Sequence, residues 1–233
     1  MTLSIIVPAF EEAGQIGRAV ETARALGPGV EIIVVDGGSS DGTAAIARRH
    51  GARVIQAKER GRARQMNEGA DAAAGDVLLF LHADTVLPPD AGKLIGAILS
   101  DPEVAGGCFR LRFDDDHPVL RVSGVLTRFG FRLFHYGDCA YFVRRSTFGD
   151  MGGFRVMPLL EDIDFWLRLN RGHRVVVAPA CVLTSARRFR QVGVVRQQAL
   201  AAAIVLLYML GVGAPRLARL YHRFTRFRTP EVA

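Results

Sequence analysis

Three acidic positions lie at strand and turn ends, where a carboxylate faces a ligand more readily than on an amphipathic helix face. Asp36 closes the apolar run 31–35, Asp84 follows the run 77–81, and Glu161-Asp162 opens a helical segment after Met151-Gly152-Gly153-Phe154. Each alone is explained by helix capping; together, on one edge of a sheet, they form a group. A carboxylate there is a hard oxygen ligand able to hold Mg²⁺ or Mn²⁺ against a diphosphate. A second carboxylate can take the proton of an attacking hydroxyl, while the cation steadies the departing diphosphate. The chemistry these residues allow is displacement of a nucleoside diphosphate by a hydroxyl.

The elements that must position them alternate. Residues 3–7 read as a strand stopped by Pro8, 12–26 as a helix ended by Gly27-Pro28-Gly29, and 31–35 as a strand buried on both faces. A helix over 43–50, a strand over 53–56, a helix over 62–74 and a strand over 77–81 continue the rhythm. Strand–helix alternation predicts an α/β fold, a Rossmann-like, mostly parallel sheet flanked by helices. Ligands bind outside the carboxyl ends of such strands, here residues 8–12, 36–41 and 82–84. Further on, Asp114-Asp115-Asp116-His117-Pro118 reads as a solvated turn. Residues 119–134 read as one or two helices, 141–145 as a strand, 161–170 as a helix and 174–178 as the last strand.

The chain has 233 residues with 49% hydrophobic content, enough for one large domain or a domain with an appendage. Gly and Pro are scattered without a period, which excludes low-complexity and collagen-like classes. Cys108, Cys139 and Cys181 are odd in number and lack a CxxC pair, pointing to a reducing compartment rather than a disulfide scaffold. The start reads as a strand and not a signal peptide, so a cytoplasmic location, with contact at the inner face of the plasma membrane, is expected. The net charge of +7 is unevenly spread: residues 1–169 hold 19 Lys+Arg against 22 Asp+Glu (−3), and residues 170–233 hold 11 Arg against Glu231 (+10). A neutral to acidic body with a basic end does not suit nucleic acid, and no nucleic-acid partner is expected.

The motifs in order resemble family 2 glycosyltransferases of the GT-A fold. They are Ser4-Ile-Ile-Val-Pro8-Ala-Phe10-Glu-Glu12, Glu31-Ile-Ile-Val-Val-Asp36-Gly-Gly-Ser-Ser-Asp41-Gly-Thr43, Asn67-Glu-Gly69 running to Gly75-Asp76, Phe80-Leu-His-Ala-Asp84, Met151-Gly-Gly-Phe154 and Glu161-Asp162-Ile-Asp164-Phe-Trp166. The resemblance spans residues 1–185, with a nucleotide-binding half over 1–100, an acceptor and catalytic half over 101–185, and a helical basic tail over 186–233. It implies an inverting transfer of a sugar from a UDP- or GDP-linked donor to an acceptor of unknown identity, assisted by Mn²⁺ or Mg²⁺. Carried over by position, Asp36 meets the nucleotide base, beside Pro8, Ala9 and Glu11. Asp41 caps the following helix, and Arg62 and Arg64 lie near the nucleotide. Asp84 matches the last acid of the DxD metal motif. His82, ahead of Ala83, stands where the first acid usually sits; its imidazole can ligate metal or contact the ribose, with one negative charge fewer to hold the cation. Asp162 matches the catalytic base, with Glu161 beside it raising its proton affinity. Tyr136-Gly-Asp138-Cys-Ala-Tyr-Phe-Val-Arg144-Arg145 and Thr184-Ser-Ala-Arg187-Arg188 resemble a subgroup of small bacterial members, which puts Asp138 at the acceptor or sugar and Arg187 or Arg188 at the diphosphate.

Other functions fit less well. A sugar nucleotidyltransferase needs a Gly-rich basic loop after the first strand, and a dinucleotide oxidoreductase needs GxGxxG; residues 8–12 and 37–42 supply neither. A catalytically inactive nucleotide-sugar-binding or scaffold protein on the same fold is the alternative, motivated by His82. In the tail, residues 199–214 are uncharged and span roughly 24 Å as a helix, short of the ~30 Å hydrocarbon core. Arg216, Arg219, Arg223 and Arg226 then share one helical arc, with Leu217, Leu220, Tyr221, Phe224 and Phe227 on the next. That pattern suits peripheral membrane contact through residues 199–228 or, as the rival, packing in a homodimer.

Overall fold

A computed structural model describes residues 1–128 and 137–225. Four parallel strands, β1 (Leu3–Ala9), β2 (Val30–Asp36), β3 (Arg53–Gln56) and β4 (Val77–Phe80), alternate with α1 (Ile16–Arg24), α2 (Thr43–Arg49) and α3 (Arg62–Ala72). All of β1 and β4 is buried, in keeping with their largely apolar sequences, and the one polar side chain among them, Ser4, donates its hydroxyl to Glu31. The helix expected from residue 12 begins at Ile16 instead. Glu11 takes a left-handed φ of 55° and residues 12–15 form a turn, which frees the Glu12 carboxylate for a long-range ion pair.

The second half comprises β5 (Thr85–Val86), α4 (Ala91–Ile98), β6 (Val104–Phe113), α5 (Pro118–Leu126), a single 3₁₀ turn at Gly137–Cys139, β7 (Tyr141–Arg144), α6 (Arg145–Asp150), α7 (Glu161–Gly172) and β8 (Arg174–Thr184). Among the described residues eight strands make one sheet in the order β3-β2-β1-β4-β7-β6-β8-β5. β7 is antiparallel to both β4 and β6, while β8 runs parallel to β6 and antiparallel to β5. The mostly parallel sheet expected from the alternation is the one that forms.

The sequence reading lacks β5, α4, β6 and α6, and of the elements that differ from it β6 and β8 bear most on the sheet. β6 has no place in the sequence reading, since Gly106-Gly107 weakens its strand pattern and Arg110 and Arg112 interrupt its end. Those glycines are a packing requirement: a β-carbon would collide with the Phe142 carbonyl at Gly106 and with the Val176 carbonyl at Gly107. β8 continues past residue 178 because its pairing with β6 shifts register between Cys108 and Arg110, opposite Pro179, which has no N–H to donate. The rest of the 119–134 helical region, beyond residue 128, lies outside the described residues.

The last described elements are α8 (Arg187–Val192), α9 (Val194–Met209) and α10 (Ala214–Thr225). From Ala199 onward α9 is apolar all round but only half covered. Ile204 and Val205 pack with Leu217 against Leu160 and Ile163 at the start of α7, while Leu206, Met209 and Leu210 face outward. Among the described residues no helix is long and apolar enough to cross a membrane. The expected arginine arc reaches the described residues at Arg216, Arg219 and Arg223; Arg226, Phe227 and Arg228 lie outside them.

Candidate active site

The carboxyl ends of β1 and β2 form the first part of the site. Asp36 is buried; its Oδ2 accepts from the Gly38 and Ser39 amides (3.3 and 3.1 Å), while Oδ1 is buried with no protein partner. A buried carboxylate oxygen without a donor is costly, and a ligand N–H would satisfy it. Gln65 reaches from α3 to the Ala9 and Val35 carbonyls (2.9 and 2.8 Å) and so fixes both strand ends. Glu11 accepts from the Ser40 amide and hydroxyl, stitching the loop after Pro8-Ala9 to the loop after Asp36. Asp41 accepts from Thr43 and Ala13, and these hydrogen bonds, led by the Thr43 hydroxyl, hold its carboxyl below the usual range.

The end of β4 supplies the second part. His82 Nδ1 lies 2.5 Å from Asp138 Oδ1. Burial pushes Asp138 up, but His82, Arg62 and Arg188 outweigh it and bring the carboxyl down to about 2. Asp84 moves the other way: burial first, then Asp138, raises its proton affinity, opposed by His82, Arg188 and Arg187. Arg187 reaches over from the start of α8 to Glu12, with both carboxylate oxygens at 2.8 Å. Burial also raises Glu12, against that pairing. The distant motifs 8–12, 82–84, 138 and 187–188 thus meet in one place.

The start of α7 completes the group. Glu161, buried, pairs with Arg62 Nε at 2.6 Å. Burial raises its proton affinity, Arg62 lowers it and Asp162 raises it further, so the like-charge effect of the pair is felt at Glu161. Asp162 is half-buried and lines a cavity with Arg62, Asp138 and Arg188. Arg64, two residues beyond Arg62 and on another side of α3, pairs with Glu59 (3.0 Å) instead. An aromatic cluster locks β4 to α7: Phe80 meets Phe154 at 4.8 Å and Phe154 meets Phe165 at 4.4 Å between ring centroids. Asn67 clamps this cluster, accepting from the Phe154 amide and donating to its carbonyl, both at 2.9 Å. The non-glycine residues with positive φ among those described are Glu11, Ala140 and Leu160, each within two residues of a group in this site. Strained backbone of this kind concentrates where side chains must be aimed.

A model of glycosyl transferase family 2 matches residues 4–160, 157 of the 233. The chain belongs to glycosyl transferase family 2. An uncharacterized protein of Mycobacterium tuberculosis is 32% identical over 206 residues, 76% of this chain and 64% of that protein. A PGL/p-HBAD biosynthesis glycosyltransferase of the same species is 31% identical over 180 residues, 71% of this chain and 68% of its own length. The chain thus spans less than two thirds of the length of the first of these relatives. Among solved structures, the mannosyltransferase PcManGT from Pyrobaculum calidifontis, in complex with GDP-Man and Mn²⁺, superposes with a TM-score of 0.66 at 20% identity over 94% of this chain and 69% of that one. The fold expected from the motifs, GT-A, is the fold this family 2 glycosyl transferase adopts.

Within it, the structure gathers Glu12, Arg62, His82, Asp84, Asp138, Glu161, Arg187 and Arg188 through the ion pairs and mutual electrostatic effects described, with Asp162 beside Glu161. It leaves Arg64 outside. Glu12 and Gln65 were not singled out by sequence, since a charged residue after a strand and a glutamine on a helix carry no pattern of their own. Nor is the acidic turn simply solvated: Asp114 accepts from the Ala186 amide (2.6 Å) and pairs with Arg190, tying the loop after β6 to α8.

Proposed function

We propose that this chain catalyses inverting transfer of a sugar from a UDP- or GDP-linked donor to an acceptor hydroxyl, with Asp162 as general base. The observation that supports this most directly is the Asp162 carboxylate on the wall of a cavity that also holds Asp138, Arg62 and Arg188. The acceptor oxygen forms a bond to the anomeric carbon as the bond from that carbon to the diphosphate oxygen breaks. The acceptor proton passes to Asp162, and the leaving diphosphate takes the electron pair. Asp36 Oδ1 accepts an N–H of the base, which both uracil and guanine present. Arg62 and Arg188 offer guanidinium donors to the diphosphate, and Arg187 stands next to them on Glu12.

The residues fit a divalent cation. Mg²⁺ and Mn²⁺ can be bound through one or two protein ligands plus phosphate oxygens and water, and Asp84 and His82 would be those ligands here. Asp84, whose proton affinity burial and Asp138 raise against His82, Arg188 and Arg187, is a buried carboxylate whose charged form a cation would favour. His82 has its Nδ1 on Asp138, the arrangement that orients a metal-binding imidazole through its other nitrogen. Asp138 also restores the negative charge that His82 removes from the DxD pattern, which argues against the inactive alternative. When bound, the cation neutralises charge on the departing diphosphate. With the Asp84→Ala variant, the rise in melting temperature given by UDP or GDP with Mn²⁺ is expected to fall to that seen without Mn²⁺. An unchanged Mn²⁺-dependent rise would place the cation elsewhere, and no rise in the parent protein with any nucleotide would favour the inactive reading.

The C-terminal hairpin is proposed to rest on an anionic lipid surface. Val195, Leu206, Met209 and Leu210 are 48–73% exposed along α9, and Arg216, Arg219 and Arg223 are exposed on α10. Apolar insertion beside basic side chains is the recipe for interfacial binding. Co-flotation with phosphatidylglycerol vesicles, absent with phosphatidylcholine and lost in high salt, is expected. No flotation, together with a dimer in sedimentation, would assign the stripe to a second copy.

A further inference from the structure

The cavity at Asp162 has a composition of its own. It measures about 160 Å³ and runs from Asp162, Asp138, Arg62 and Arg188 at one end into the space between β6, α5, α9 and α10. Its walls there are apolar, with Leu111, Phe113, Leu160, Ile204 and Val205 among them. Most polar groups on that wall are already engaged. Thr127 Oγ1 donates to the Gly124 carbonyl and accepts from the Leu111 amide, and Ser123 donates to the Val119 carbonyl. Gln197 keeps an acceptor open. Its Nε2 donates to the Tyr221 hydroxyl (3.0 Å), while its Oε1 is buried without a partner, on a residue only 6% exposed.

We propose that the acceptor is a compact amphiphilic alcohol. Its reacting hydroxyl lies at Asp162, its apolar body fills the cavity, and a hydrogen-bond donor on its far side meets Gln197 Oε1. This rests on the transfer reading above and deepens it. The size is informative: an apolar cavity of about 150 Å³ takes a benzene ring, so this one holds one ring or a short branched chain. A free sugar acceptor would bury several hydroxyls against Leu, Ile, Val and Phe side chains, and each unpaired hydroxyl would oppose binding. The acceptor oxygen gains the bond to the anomeric carbon as the bond from that carbon to the diphosphate oxygen breaks, the diphosphate keeps the electron pair, and the acceptor proton goes to Asp162.

Methyl NMR of the full chain tests this without turnover. Benzyl alcohol and cyclohexanol are the probes, and glucose and glycerol the polar controls, each added with and without UDP or GDP and Mn²⁺. The expected result is that both alcohols shift the Leu160, Ile204 and Val205 methyl signals while the controls do not. Ala201 of α9 lines the same wall; Ala201→Phe, which fills the cavity, should weaken alcohol binding at least about tenfold, and Ala201→Val should weaken it less. Nucleotide-dependent thermal stabilisation must persist in both variants, which shows that they fold. Equal shifts with glucose, no shifts with either alcohol, or alcohol binding unaltered in Ala201→Phe would overturn the proposal. The nucleotide arms report separately on the transfer reading, which fails if neither nucleotide with Mn²⁺ stabilises the parent chain.

Discussion

Asparagine in place of Asp162 is expected to lower turnover by about 10²- to 10⁴-fold while nucleotide affinity stays at the parent value. The amide keeps the size of the side chain but cannot take a proton, so the loss falls on kcat rather than on donor binding. Glu161→Gln is expected to behave differently. Glu161 is buried against Arg62, so losing its charge loosens Arg62 and raises KM for the donor along with any fall in kcat. Steady-state kinetics with varied donor, alongside nucleotide titration, separates the two. Turnover of Asp162→Asn within a few fold of the parent would remove Asp162 from the base role. The pair is adjacent in sequence but unequal in environment, one carboxylate paired inside the protein and its neighbour facing the cavity, and that inequality gives them distinct tasks.

The largest expected effect on stability is at Asp164, one turn into the same helix. Its carboxylate, 5% exposed, accepts from Arg168 Nε (2.8 Å), Arg155 (3.1 Å) and the Tyr208 hydroxyl (3.0 Å). Arg168 in turn donates to the Met151 and Gly153 carbonyls (3.0 and 2.7 Å). One carboxylate therefore ties α7 to the glycine turn before it and to α9 of the C-terminal hairpin. Burial and Asp164 together push the Tyr208 phenol up to about 12, as suits a hydroxyl donating to a carboxylate. Asp164→Ala leaves the Arg168 guanidinium and the Tyr208 hydroxyl without their acceptor, and the expected cost is about 3–5 kcal/mol, read from the urea midpoint. Arg155→Ala, on a side chain 67% exposed, is expected to cost no more than about 1 kcal/mol. A midpoint for Asp164→Ala equal to that of Arg155→Ala would show that the network does not bear on folding.

Residues 1–81 could be read from sequence because their order is local, whereas β5 and α4 just beyond them could not. Apolar runs of β1, β2 and β4 end in polar turns, and their helices carry their own spacing, so period and punctuation suffice. β6 could not be read, because its two glycines answer to the Phe142 and Val176 carbonyls, which belong to strands far along the chain. The acids at 36, 84 and 161–162 stood out by position. The partners that give them their properties did not: Arg62 on Glu161 and Asp138 beside Asp84 come from distant stretches of the chain, and no local pattern encodes those separations.

By itself the sequence determined the class of fold, the family, and which carboxylates stand at the edge of the sheet. It also located the surplus charge, since the +7 comes wholly from residues after 169. The tertiary structure decided how these parts are used. It set His82 against Asp138, buried Glu161 on Arg62, and turned α9 so that one side lines the cavity at Asp162 while the other faces outward. The physical reason is that hydrophobic period and turn chemistry act over a few residues, whereas burial and charge pairing depend on what the folded chain brings alongside.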